Sequence, residues 1–293
     1  MKLGVGTAQF GLNYGISNQD GKTTPEEVTK IIDVAALNKV RVIDTSPAYG
    51  TSEEVLGKTL PCPHNFDIVT KTPAFLKASI TGDDVKLLEN TFYQSLSNLY
   101  QQSIYGLLVH HVDDVLAKDG NLLLQKMHEI KEQGLVKKIG VSIYTSEQID
   151  RVLDKYSIDL IQVPINVLDQ RLLLSGHLQK LKKLGIEIHA RSVFLQGLLL
   201  MKPEHLPSYF DSVRNHLKDY YEFICQRNIS PLQAALSFVS SLSEIDAVLV
   251  GVNNCHQLQE VLLGITQHNI INKDFSELAL SDTWVLNPSN WRI

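Results

Sequence analysis

The sequence is short of cysteine. Its three, Cys62, Cys225 and Cys255, are scattered through 293 residues. They are too few for a disulfide framework, so a reduced, cytosolic protein is the expectation. Cys62 and His64 stand close together, but nothing nearby completes a metal-binding set, and both read as loop residues. Positive charge is not in excess either: 27 Lys and Arg against 32 Asp and Glu leave a net charge of −5. That gives no general pull toward nucleic acid or an anionic membrane. No run approaches the ~18 consecutive apolar residues of a membrane span. The opening MKLGVGTAQFG lacks the charged-then-apolar layout of a signal peptide. A dinucleotide fingerprint is also incomplete. GVGTAQFG carries Gly4 and Gly6, but no third glycine at the required place and no helix directly after, which argues against a doubly wound sheet.

What is present is an alternation of short apolar runs with amphipathic segments. Strand-like runs cover 3–9, 40–46, 67–72, 105–111, 136–142, 160–166, 186–193 and 247–252. Helices are expected over 24–38, 52–60, 83–101, 120–133, 146–156, 171–184, 230–242 and 255–265. Thr24 and Pro25 form a good helix start, with Val28, Ile31, Ile32 and Ala35 at helical spacing behind them. The strands are apolar without strict alternation, as in a parallel sheet covered on both faces. Eight such pairs without a composition break predict one (β/α)8 TIM barrel, a single domain over 1–293. An extra segment around Tyr220, Tyr221, Phe223 and Ile224, read as a helix, follows strand seven, and the tail 280–293 reads as a strap. Trp284 and Trp291 read as its packing anchors.

Functional groups of such barrels sit at the carboxyl ends of the strands. There the sequence places Thr7 and Gln9, then Asp44, Lys71, His110 with His111, Ser142, Gln162 with Asn166, and Arg191 with Ser192. Asp44, Lys71 and His110 would face one mouth, with Tyr49 in the loop after strand two. A tyrosine hydroxyl titrates near ~10 in water, and a nearby ammonium favours its phenolate. A carboxylate beside the lysine compensates that buried charge. Such a group can give a proton to a carbonyl oxygen while hydride reaches carbon. The same residues also fit a plainer arrangement, a structural Asp44–Lys71 ion pair with Tyr49 and His110 as satisfied core polar groups.

The stretch IDTSPAYGTSEEVLG (43–57) resembles the aldo-keto reductase signature, and IVTKT, LLVHH, KKIGVS, LIQVPIN and AVLVGV continue the resemblance in order. It implies a nicotinamide cofactor held without a Rossmann domain, and a catalytic tetrad of Asp44, Tyr49, Lys71 and His110. His110 rather than His111 aligns with the family's histidine. The resemblance further implies that Thr7, Gln9, Ser142 and Gln162 serve the cofactor, the last two at the nicotinamide carboxamide. Arg191 stands at or beside the place of an aromatic that stacks on the ring in many relatives. The plainer reading of Arg191 is a salt bridge to a carboxylate at the mouth. Ser192, Phe194, Gln196 and Gly197 resemble a loop over the pyrophosphate.

After strand eight, relatives that prefer NADP(H) generally carry Lys or Arg for the 2′-phosphate. Here GVNNCHQLQE (251–260) offers Gly251, Asn253, Asn254, His256, Gln257 and Glu260, with no fixed cation, so NAD(H) is favoured over NADP(H). Tyr144 lies near the site by position, and Asn13 and Tyr14 are in reach of a hydroxylated ligand. The segment 197–216 has the length of a lid. The start GTAQFGLNYG and tail LNPSNW resemble bacterial sequences tied to sugar or surface-polysaccharide pathways. The expected function is thus NAD(P)(H)-dependent reduction of an aldehyde or ketone, a sugar-derived carbonyl among them, on a small-molecule substrate. A nicotinamide-binding redox sensor with little turnover is the competing expectation.

Overall fold

The computed structural model describes residues 2–267 and 275–291. Eight parallel strands close into a barrel in chain order: β1 (Lys2–Gly6), β2 (Val42–Asp44), β3 (Asp67–Lys71), β4 (Ile104–Val109), β5 (Val136–Ser142), β6 (Leu160–Pro164), β7 (Glu187–Arg191) and β8 (Ala247–Gly251). The last pairs with the first, from Lys2 opposite Ala247 to Gly6 opposite Gly251. Closure leaves no sheet edge to protect.

The helices are α1 (Ala8–Gly11), α2 (Pro25–Leu37), α3 (Ser52–Thr59), α4 (Gly82–Asn98), α5 (Asp113–Leu116), α6 (Asn121–Glu132), α7 (Ser146–Leu153), α8 (Arg171–Leu174), α9 (His177–Lys183), α10 (Arg214–Gln226), α11 (Pro231–Ser240), α12 (Cys255–Gln267) and α13 (Thr283–Leu286). Thr24 caps α2 by accepting from the Glu27 amide, and α7 and α11 open with full capping boxes at Thr145 and Ser230. Two departures from the sequence reading are local. A single helical turn, α1, does follow β1 directly. The helix expected over 171–184 is broken into α8 and α9, because Gly176 turns left-handed at φ 74° between them.

Side chains alternate along each strand. Val42, Val69, Leu108, Leu160, Ala247 and Leu249 fill the barrel interior, while Ile43, Ile68, Leu107 and Ile161 pack outward in the larger cluster with the helices. At the amino-terminal end Tyr105, Lys138 and His189 all donate to Glu187. Burial alone would raise the Glu187 carboxyl, but those bonds outweigh it and hold it well below the usual range.

After β7 the chain makes short 3-10 turns at Leu195–Leu200, Pro203–His205 and Ser208–Val213 before α10. This insertion is not a lid. Beyond its first residues it packs inward, with Leu206, Phe210 and Val213 buried and Phe210 edge-on to Trp291 at 5.0 Å. The tail is held by Tyr209, whose hydroxyl donates to the carbonyls of Trp284 and Asn290. It contains α13 and a 3-10 turn at Pro288–Asn290, and its last residues, 292–293, lie outside the described residues. Trp291 is an anchor, as expected; Trp284 is not, being 64% exposed. Among the described residues no helix is long and apolar enough to cross a membrane.

Candidate active site

Inward alternation brings Asp44 and Lys71 together. Val42 and Asp44 share one face of β2, Val69 and Lys71 one face of β3, and the register sets Asp44 beside Val69. Lys71 Nζ donates to both Asp44 carboxylate oxygens at 2.9 Å and to the Thr45 carbonyl at 2.8 Å. All three protons of the ammonium are thereby committed. Burial pulls the lysine below its ordinary pKa, and the Asp44 charge works against that. Gln162, from across the barrel on β6, also donates to Asp44 Oδ1.

Tyr49 is set by a tight turn. Its amide donates to Ser46 O at 3.0 Å, and its carbonyl accepts from the Ser52 amide at 3.1 Å. The α1 turn presses against this backbone: a Cβ on Gly11 would lie 1.7 Å from Tyr49 O, so only glycine fits there. Ser52 Oγ ties the turn back to Thr7 Oγ1 at 2.8 Å. The Tyr49 ring stands edge-on to His110 with centroids 6.0 Å apart, and Lys71 Nζ is 5.0 Å from its centroid. His110 Nδ1 is 3.3 Å from Ser46 Oγ. Burial, with the nearby charges of Lys71, His111 and Arg191, pulls His110 down to about 3. It is therefore a neutral imidazole through the physiological range. His111 is exposed, its ring centroid 5.1 Å from that of His110.

The electrostatics of Tyr49 differ from the sequence expectation. Burial and the Asp44 charge push its phenol well above the ordinary value, and Arg191 is the cation that works against them. Lys71 is screened by its own carboxylate. Arg191, ending β7, makes no salt bridge among the described residues, contrary to the plainer reading of it. Its Nη2 donates to Ile143 O at 2.8 Å, its Nη1 to Ser192 Oγ at 3.2 Å, and its Cζ lies 4.2 Å from the centroid of the Tyr144 ring.

These groups line one cavity of about 680 Å³ that runs from Tyr49 and His110 to Glu260 on α12. Of the residues proposed from sequence for the tetrad and the cofactor, all but Gln162, Asn254 and His256 line it. Gln162 lies beneath, bound to Asp44. Asn254 caps α12, its Oδ1 accepting from the Gln257 amide at 3.0 Å. Asn166 is also structural: its amide donates to Ser192 O, and its oxygen accepts from Leu168 and Asp169. Asn13 does not line the cavity, whereas Tyr14 does, and burial pushes its phenol up to about 12.

Sequence reading missed part of the wall: Ser17 and Asn18 from the first loop, Ser230–Leu232 at the start of α11, and Pro288 and Ser289 from the tail. The first loop reaches over to the β7 loop, where Ile16 N donates to Gln196 O at 3.0 Å and a Cβ on Gly197 would meet Ser17 Oγ at 1.9 Å. A usable signal existed for Ser230: a strong helix start closing a long loop after strand seven must return to the mouth.

The α12 end is built without a free cation among the described residues that line it. Its amides are largely spent on protein oxygens. Asn253 N donates to Gln257 Oε1 and Cys255 N to Glu27 Oε1, both at 2.8 Å. The bond from the Cys255 amide, with the Lys30 ammonium, pulls Glu27 down to about 2, so a carboxylate already occupies that helix end. His256 and Glu260 approach to 3.6 Å on the rim.

An elongated cavity with a proton donor at one end and neutral hydrogen-bonding groups at the other suits a nicotinamide dinucleotide. A buried oxygen without a partner, Asn253 Oδ1, lies on the cavity wall and is able to accept from a ligand amide or hydroxyl.

Comparison with known proteins agrees with the class that this fold and site define. The model of the Aldo/keto reductase family matches residues 2–279, and the chain belongs to that family. Among curated relatives, "Protein REDOX 2" of Catharanthus roseus is 30% identical over 175 residues, 53% of this chain and 54% of that protein. "L-galactose dehydrogenase" of Arabidopsis thaliana is 24% identical over 294 residues, 94% of this chain and 88% of that protein. The chain spans about half the length of the first relatives it matches and most of others. The fold is shared with aldo-keto reductase AKR11C1 from Bacillus halodurans in its holo form, with a TM-score of 0.73 and 18% identity over 96% of this chain and 94% of that one.

Proposed function

We propose that the chain, acting as one barrel domain over 1–293, reduces an aldehyde or ketone to an alcohol, with Tyr49 as the general acid. The observation that carries this is the convergence of Tyr49, neutral His110 and the Asp44–Lys71 pair on one cavity. The nicotinamide supplies the hydride when bound. A neutral His110 orients the carbonyl oxygen by one N–H without competing as an acid. Tyr49 keeps its proton until negative charge develops on that oxygen, because burial and Asp44 disfavour the phenolate. Arg191 then stabilises the phenolate formed. Ser142 would hold the carboxamide, with Gln162 fixing Asp44 from beneath, and Asn253, Gln257 and Glu260 would hold the adenosine end.

NAD(H) is the preferred form in this reading, since no cation lines the α12 end and Lys30, beside it, is already paired with the Glu27 carboxylate that holds the Cys255 amide. The hydroxyl-bearing wall from Ser17 and Ser289 suits a polyhydroxylated carbonyl. The name of the L-galactose dehydrogenase relative points the same way. The test is a panel of aldehydes, ketones and sugar-derived carbonyls, read by loss of NADH absorbance. Turnover of at least one supports the reading. Tight cofactor binding with inactivity across the panel would favour a redox sensor instead.

A further inference from the structure

Arg191 is the one charge at the barrel mouth that the proposed chemistry leaves without a counterion among the described residues. Lys71 is neutralised by Asp44 at 2.9 Å. Arg191 is held instead by dipoles and a ring: the Ile143 carbonyl, the Ser192 hydroxyl and the Tyr144 face. Its Nε is buried with no partner at all. These contacts fix the guanidinium against the cavity wall without cancelling its charge, so the mouth carries an unbalanced positive charge.

We propose that Arg191 makes this site discriminate between the oxidation states of the cofactor, holding NADH more tightly than NAD⁺. The proposal rests on the nicotinamide-dependent reading above. The oxidised ring is cationic and the reduced ring neutral. A ring that delivers hydride to a carbonyl hydrogen-bonded by Tyr49 must sit in the part of the cavity that Arg191 lines. Arg191, Tyr49, Tyr14 and His110 all line this one cavity, so a ring placed among them lies within the field of the guanidinium. Two like charges less than ~10 Å apart in a cleft shielded from water repel by enough to change affinity about tenfold. By linkage, a tenfold preference for the reduced form raises the potential of the bound couple by about 30 mV. Such a site loads with NADH in the presence of excess NAD⁺ and lets NAD⁺ leave after turnover, which suits a reductase.

The test is equilibrium titration of the full chain with NADH and with NAD⁺, followed by calorimetry, for wild type, Arg191→Met and Arg191→Lys. The expected result is NADH about tenfold tighter in wild type. Arg191→Met should bring the ratio close to one, chiefly by tightening NAD⁺, and Arg191→Lys should keep it. Equal affinities in wild type would overturn the proposal without any variant, so a poorly folding Arg191→Met does not shield it. An unchanged ratio in a folded Arg191→Met would overturn it too. Failure of both forms to bind would overturn the nicotinamide reading itself, a different result.

Discussion

Replacing Lys71 by methionine removes one partner of the buried pair and leaves the other. The Asp44 carboxylate, 6% exposed, would keep only the Gln162 amide as a direct donor. At 2.9 Å and an effective dielectric of ~20, the lost attraction is roughly 6 kcal/mol, and the desolvation already suffered by both groups reduces the net effect. Breaking one side of such a pair costs about 3–5 kcal/mol, which for a chain of this size lowers the melting temperature by roughly 5–8 °C. The paired change Asp44→Asn with Lys71→Met removes both charges and should recover most of that loss. Thermal and urea melts of the three proteins near neutral pH measure this. A single variant melting within ~2 °C of wild type, or a double variant no better than the single, would refute the reasoning.

Three further outcomes follow from the same geometry. The folded pKa of His110, about 3, lies below the unfolded ~6.5, so its contribution to stability is present above the unfolded value and is lost as pH falls toward the folded one; the unfolding free energy of His110→Gln from urea melts should therefore drop by roughly 2 kcal/mol less than that of wild type between pH ~7 and ~4.5. Gly11→Ala forces the Tyr49 backbone to move, because its Cβ would lie 1.7 Å from Tyr49 O; turnover should fall by at least ~10-fold with NADH affinity little changed, and wild-type turnover would contradict the role of that turn. NADH should bind more tightly than NADPH in direct titration, and a tenfold tighter NADPH complex would contradict the reading of the α12 end.

The barrel was legible because each strand is a short apolar run bounded by helix starts with physical signatures, such as Thr24–Pro25 and Ser230–Pro231. Asp44 and Lys71 were legible as a pair because period-two alternation puts both on inward faces of neighbouring strands. What was not legible depends on contacts across the chain. Nothing near Gln162 in sequence announces that its amide turns to Asp44, 118 positions away. Nothing in the first loop announces that Ile16 pairs with Gln196, or that Ser17 packs on Gly197. Arg191 illustrates the same limit in energy rather than geometry. Its position at the end of β7 could be read, but whether an acid sits opposite is a property of the closed barrel. The lid expectation failed for a related reason: the apolar residues of 197–216 have an inward surface to cover, with Phe210 against Trp291, and burial there outweighs exposure over the mouth.

The most direct test of the account is Tyr49→Phe, assayed with a carbonyl substrate found active for wild type and titrated separately with NADH. Phenylalanine keeps the ring edge-on to His110 and removes only the proton donor. The account predicts NADH affinity within about twofold of wild type and turnover reduced by roughly 10²–10⁴-fold. Turnover near the wild-type rate, with NADH still bound, would contradict it.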